Sequence, residues 1–374
     1  DKEDSAFIII SSISSKNNEI TKIPLHLQHY SKQSSSIFQN LATLSYILTL
    51  TLYEQIYDGI LDFGFWKDQT DKINALESLK VQSTDMVFDA NFLNKNEVNT
   101  MQTLLVALKL LWTYQCEATL NTSSKADTKK SQFYKFVANI DKIIEKFIKH
   151  HTVNGNRLLN AKREVLLLAH LHQRDVLIEM CSGKGGFYTE SSFEWQKHCR
   201  YYWFPNNAER FELELDKKLD FCYQTLPVDN SFKTDERPLQ LSIFGLNERY
   251  KFSYDGSFST LVVTPLLEKC YFAMFQALKI NSIGALLGNA GIGKTETLKN
   301  LSILCGQNLH QFKCNSFTTA EKITKLIHGL AINGNWLVFD DYNFLRSNIM
   351  TACSNMFQEI LIARQMKKNT HNIN

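Results

Sequence analysis

The sequence predicts a mainly helical N-terminal region followed by an α/β layer built around a phosphate-binding loop. Three observations carry this. Gly288-Asn289-Ala290-Gly291-Ile292-Gly293-Lys294-Thr295 satisfies the pattern G-x-x-x-x-G-K-[ST]. Trp336-Leu337-Val338-Phe339 runs directly into Asp340-Asp341, the pattern of a buried strand that ends in acids. Upstream, Phe136, Val137, Ile140, Ile143, Ile144, Phe147 and Ile148 recur at helical spacing, with Lys142, Glu145, Lys146 and Lys149 on the other face. Glycine (15) and proline (5) are scarce in 374 residues, which favours helices.

In chain order, the first forty residues are polar and Ser-rich, at 11–15 and 31–36, and are expected to be loop or irregular structure. The apolar run 41–53 is interrupted by Thr and Ser. It is shorter than the ~18 residues of a membrane span and reads as a buried helix or strand. Residues 91–120 read as a helix with Met101, Leu104, Leu105, Leu108, Leu111 and Trp112 on one face. A polar break at 121–132 is a loop, and a further helix covers about 161–180. Residues 181–190 form a Gly-rich loop, and 204–254 read as short strands or an irregular insertion. From about 90 to 203 the chain should be mainly helical, with Trp112, Ile140, Ile144 and Phe147 buried. Beyond 261 short apolar runs alternate with helical patterns, the mark of a parallel sheet. The strands expected there are 283–287 and 336–339, in one parallel sheet. The end, 367–374, looks frayed.

Composition narrows the function classes. With 41 basic and 38 acidic residues, the net charge of +3 gives no electrostatic case for a nucleic-acid binder. The 8 cysteines include no Cys-x-x-Cys pair, so a zinc ribbon or thioredoxin-type site is not indicated, and a reducing compartment fits better than a disulfide framework. His26-x-x-His29, His150-His151 and His170-x-His172 lack acidic or Cys partners at ligand spacing and read as surface or packed histidines. Arg200-Tyr201-Tyr202-Trp203 reads as a packing element rather than a stacking platform for nucleic acid. Ser182-Gly183-Lys184-Gly185-Gly186 lacks the earlier glycine and the following Ser/Thr, and reads as a plain loop.

The loop's residue types follow from its chemistry. Glycines let backbone N–H groups turn toward phosphates, and the new helix presents its positive end to the same charge. Lys294 is placed to reach the β- and γ-phosphates, and the Thr295 hydroxyl to ligate Mg²⁺. Asp340 is then the second Mg²⁺ residue, and Asp341 the residue that orients the attacking water. A ligand-free Gly-rich turn and an ordinary strand ending in surface acids are the bland readings of the same two motifs.

At these residues the sequence resembles a dynein heavy chain. Gly293-Lys294-Thr295-Glu296-Thr297 with Leu298-Lys299-Asn300-Leu301 resembles the P-loop and first helix of that family's first AAA+ module. Residues 261–271, including Val262, Thr264 and Pro265, are similar to the segment that packs around adenine. Phe312-Lys313-Cys314-Asn315, residues 329–336 and Phe339-Asp340-Asp341-Tyr342-Asn343 fit the same module. More weakly, Phe193-Glu194-Trp195, Arg200–Trp203, residues 172–176 and Leu110–Thr113 are similar to the dynein linker. Departures are Asp341 for the family's Glu, Phe344 for an Arg, and Asn289 and Ile292 for Pro and Thr.

The resemblance implies four regions: an N-terminal linker region at 1–90, a helical dynein-type linker at 91–204, a linker-to-AAA+ connection with an insertion at 205–260, and the N-terminal part of the first AAA+ module at 261–374. It further implies a fragment of a microtubule motor heavy chain whose ATPase drives linker movement. ATP or ADP with Mg²⁺ would be held by Gly288–Glu296, Val262, Thr264, Pro265 and Asp340, with Lys294 and Asp341 catalytic. The implied partners are the rest of the AAA+ ring, microtubules, and intermediate or light chains or axonemal proteins, at the cytoskeleton of a cilium or in the cytoplasm, with neither nucleic acid nor membrane. The fragment alone is expected to be inactive. A non-motile axonemal scaffold with little turnover, another P-loop ATPase, and a packing module without nucleotide stay open as alternatives.

Overall fold

The computed structural model describes residues 12–14, 20–22, 47–56, 100–121, 126–150, 157–182, 189–204, 238–254, 256 and 260–366. The chain divides into two units, Asp1–Val262 and Val263–Asn374.

In the first unit, β1 (Ser12–Ser14) pairs antiparallel with β2 (Ile20–Lys22), where loop was expected. Three-residue strands are too short to show the period-2 alternation on which a strand is recognised. A helix over 47–56 (α1) begins in the apolar run, extends three residues past it, and buries Ile47, Leu50, Leu52, Tyr53 and Ile56. Helices α2 (Met101–Asn121), α3 (Ala126–His150) and α4 (Arg157–Ser182) follow. The polar break expected at 121–132 is therefore shorter, because α3 begins at residue 126. The Gly-rich segment 183–188 and the ends 91–99 and 367–374 lie outside the described residues.

These helices share one core. Trp112, Cys116 and Leu120 of α2 meet Phe133, Phe136, Ile140 and Ile144 of α3, and Val176, Leu177, Met180 and Cys181 of α4, around Trp195. Each large apolar side chain removed from water there contributes about 1.5–3 kcal/mol. Trp112, Ile140 and Ile144 are buried as expected, but Phe147 is only half-buried, against the His170 ring, and Ile148 is 59% exposed. The stripe on α3 drifts off the core in its last turn because ideal helical geometry does not follow a strict repeat. Helix α2 is not one-sided as its apolar spacing implied. Thr103, Ala107 and Thr113, off the expected stripe, are buried as completely as Leu104 and Leu108. A helix surrounded by protein is covered on every face, whatever its stripe.

Residues 200–203 are a strand rather than helix. After a helical turn at Phe193–Gln196, β3 (Arg200–Trp203) pairs antiparallel with β4 (Leu239–Ile243), which pairs with β5 (Leu246–Arg249). The aromatic run Tyr201-Tyr202-Trp203 has strand propensity that outweighs its helical neighbours. Between α2 and β3 lies a buried polar network. Glu117 accepts from Trp195 Nε1 (3.2 Å) and Tyr202 Oη (2.5 Å), with the Arg200 guanidinium 3.5 Å away. Burial raises the Glu117 carboxyl above its usual range, against the lowering effect of those hydrogen bonds and of Arg200.

The second unit opens with α5 (Pro265–Lys279), whose N-cap Thr264 accepts from Leu267 N and whose first residue is Pro265. Helix α6 (Lys294–Leu304) is followed by β6 (Leu309–Lys313), α7 (Ala320–Asn333), β7 (Trp336–Asp340), a 3-10 turn at Tyr342–Phe344, and α8 (Ser347–Gln365). Gly334 ends α7 at φ 68°, a left-handed conformation that glycine adopts without penalty. β6 and β7 form a parallel pair, Leu309 opposite Trp336 through Lys313 opposite Asp340. Phe312 and Phe339 pack with α7 and α8 through Cys314, Ile323, Ile327, Ile349, Cys353 and Met356. Side chains alternate along a strand, so Gln311 and Asp340 point to the opposite face, toward α6.

One expectation fails here. Residues 283–287 are neither helix nor strand and join no ladder among the described residues, and Ile283 (57%) and Leu287 (93%) are exposed. The strand that pairs with β7 is β6. An apolar run states that a segment can be a strand; a ladder needs a neighbour at about 4.8 Å as well. Gly284 in this segment lies against α5, where a Cβ would sit 2.4 Å from Met274 Sδ.

Candidate functional site: a phosphate-binding loop facing two acids

The loop connects segment 283–287 to α6. Its glycines are needed for shape. Gly291 (φ 79°) and Gly293 (φ 88°) are left-handed, and a Cβ at Gly288 would meet Ile292 Cδ1 at 2.4 Å. Gly293 is also the N-cap of α6, so the helix begins on the motif's Lys294 and Thr295. The free N–H groups of that first turn, and the positive end of the helix, face whatever binds the loop. Residues 287–293 are all exposed.

Lys294 turns back over the loop and donates to the carbonyls of Gly288 (2.9 Å) and Asn289 (2.5 Å). An ammonium has three donors and here satisfies two of them on its own loop. Glu296, in the first turn of α6, pairs with Lys299 at 2.7 Å and is exposed.

At the end of β7, Asp340 receives two donors. Thr295 Oγ1 donates to Oδ1 at 2.7 Å, and Gln311 Nε2 of β6 donates to Oδ2. The fold thus brings Lys294, Thr295 and Asp340 from residues 45 apart into one place. Gln311 was not singled out by sequence. A lone glutamine in a short strand gives no signal; only its register, opposite Val338 and two residues short of Asp340, places it. Thr295 hydroxyl and Asp340 carboxylate are hard oxygen donors, the set that suits Mg²⁺.

Asp341 is exposed and sits in the left-handed region (φ 56°, ψ 39°), a conformation in which Asp is enriched among non-glycine residues. It turns the chain from β7 into the 3-10 turn, where Phe344 N donates to the Asp341 carbonyl at 2.9 Å. Cys314, whose N–H donates to the Asp340 carbonyl at 2.9 Å, has its thiol pushed up to about 11 by burial, by Cys353, and by the charges of Asp341 and Asp340. Phe344 is 59% exposed.

Thr264, Pro265 and Val262 are exposed. The Thr264 hydroxyl is engaged as a helix cap. Helix α5 reaches α6 through Tyr271, whose hydroxyl donates to Asn300 Oδ1 at 2.6 Å in a buried position. The helix that Thr264 and Pro265 begin is therefore tied to the helix that the loop begins.

A glycine loop opening a helix, beside a parallel strand ending in an acid that meets the loop's threonine, is the arrangement of a P-loop nucleotide-binding module. Comparison with known proteins carries this further. Residues 250–374 match the family described as "Hydrolytic ATP binding site of dynein motor region". The chain is 28% identical over 311 residues to dynein axonemal heavy chain 8 of Mus musculus, covering 79% of this chain and 6% of that protein. It is 24% identical over 359 residues to dynein axonemal heavy chain 5 of Rattus norvegicus, covering 90% and 9%. It is 26% identical over 308 residues to a cytoplasmic dynein heavy chain of Paramecium tetraurelia, covering 82% and 6%. The chain is similar to dynein heavy chains over most of its own length and spans less than a tenth of the length of these relatives. The description of the matched family names ATP as the ligand of this region.

Proposed function

We propose that this chain contributes the linker end and the nucleotide-binding start of the first AAA+ module of a dynein-type motor heavy chain. In this reading α2 to α4 belong to the helical linker over 91–204, and ATP binding and hydrolysis at the loop move that linker. Microtubules, the remaining AAA+ modules, and intermediate, light or axonemal subunits are the partners, with the ciliary axoneme as the place of work. The axonemal relatives support the location.

The observation that carries the reading is the 2.7 Å contact between Thr295 Oγ1 and Asp340 Oδ1 at the mouth of the loop. Backbone N–H groups of 289–295 would take the phosphates, and Lys294, released from its own carbonyls, the terminal phosphate oxygens. Mg²⁺ would be held by Thr295 and Asp340, where it would offset charge on the phosphates. Val262, Thr264 and Pro265 lie on the adenine side. Asp341 orients water. In full-length heavy chain, Lys294→Ala should abolish nucleotide binding or hydrolysis at this module; unchanged ATPase with undiminished nucleotide occupancy contradicts the reading.

A second reading rests on Asp341, one methylene shorter than Glu. Its carboxylate stands back from the attacking water, and misplacement of that order costs ~100-fold in rate. A module that holds ATP with little turnover, in a non-motile axonemal scaffold, follows from that difference.

A further inference from the structure

We propose that Gln311 is a positioning residue for the Asp340 carboxylate and sets the Mg²⁺ affinity of the site, an inference that rests on the nucleotide reading above. Gln311 stands on β6 opposite Val338 of β7, and Asp340 lies two residues further along β7. The two side chains share the α6 face of the pair and are diagonal neighbours, a separation that a long side chain spans. The contact exists: Gln311 Nε2 donates to Asp340 Oδ2, while Thr295 Oγ1 donates to Oδ1.

The consequence is geometric. A carboxylate held at one oxygen rotates about its Cβ–Cγ bond; held at both, from two different elements, it does not. Thr295 belongs to α6 and Gln311 to β6, so the Asp340 plane is fixed by the two elements that flank β7. An ionised carboxylate has about four acceptor sites, and these two bonds use two. The remainder stays open to a metal ion or to its bound water. A neutral amide serves here better than Lys or Arg, because it adds no positive charge next to the cation. Gln311 is exposed, so holding this pose costs rotamer freedom that an idle surface glutamine keeps. Loss of a hydrogen-bond partner behind a metal ligand typically weakens metal binding ~10- to 100-fold.

The test uses full-length heavy chain and a fluorescent ADP analogue. The signal of this module is the part of the fluorescence change that Lys294→Ala removes. Mg²⁺ is titrated from chelator-buffered zero in wild type and in Gln311→Met, which keeps the side-chain length and removes the donor. The expected result is a Mg²⁺ midpoint raised ~10-fold or more in Gln311→Met, with Mg²⁺-free ADP binding unchanged. The Mg²⁺-free arm separates positioning from strand stability: a merely structural role weakens ADP binding with and without metal alike. That outcome, an unchanged midpoint, or a lowered midpoint showing that Gln311 competes with the metal, overturns the proposal. No Lys294-dependent signal in wild type contradicts the nucleotide reading itself.

Discussion

Lys294 and Asp341 show what one side chain decides at this site. Lys294 rests on the carbonyls of Gly288 and Asn289, so phosphate entry exchanges two neutral acceptors for charged oxygens. Both sets of bonds have a charged donor, but phosphate oxygens add an opposite charge, and the Coulomb attraction favours the ligand. Asp341 is a matter of reach. Replacing it by Glu in full-length heavy chain should raise single-turnover hydrolysis at this module by about tenfold or more, with binding unchanged, because Lys294, Thr295 and Asp340 are untouched. A rate that stays level or falls means that the left-handed turn at Asp341 has already compensated. The loop and both acids were legible from spacing alone, because phosphate chemistry demands Gly, Lys and Thr in fixed order. Gln311 was not, since it matters through register across a sheet rather than along the chain.

Elements add predictions that concern stability. His170 on α4 is fully buried, and burial lowers its pKa to about 4, against the opposing effect of Gln173. The unfolded chain takes up a proton near pH 6.5 while the folded chain does not. Stability is therefore present in full above ~6.5 and falls as pH drops from ~6.5 to ~4, by about 3 kcal/mol in all. Denaturant melts at stepped pH should show this slope, and His170→Phe should flatten it. Glu117 acts in the other direction. Its raised pKa means that the folded state is favoured while the carboxyl is protonated, and that stability is lost as pH rises from the ordinary carboxylate value through the raised one. Glu117→Ala leaves the Arg200 guanidinium buried without its carboxylate and should cost about 3 kcal/mol or more in the same melts. Periodicity revealed α3 and α4 because each carries a stripe. It misjudged 283–287, where a strand-like composition lacks a ladder, and β3, where an aromatic run lies between helical segments.

For the whole molecule, the share of the relatives' length that the chain spans is the governing fact, 6% to 9%. Unit 263–374 exposes Leu287, Phe317 and Leu266 at 93%, 84% and 73%. In the reading proposed above, the nucleotide site is completed by neighbouring parts of the AAA+ ring. The isolated 374-residue chain should therefore bind ADP more weakly than full-length heavy chain, a difference that side-by-side titration with a fluorescent analogue reads directly. The central claim is that residues 288–295 and Asp340 hold an adenine nucleotide. Its most direct test is the number of adenine nucleotides retained per full-length heavy chain after desalting, for wild type and Lys294→Ala. The account predicts one fewer in the variant; an equal number would contradict it.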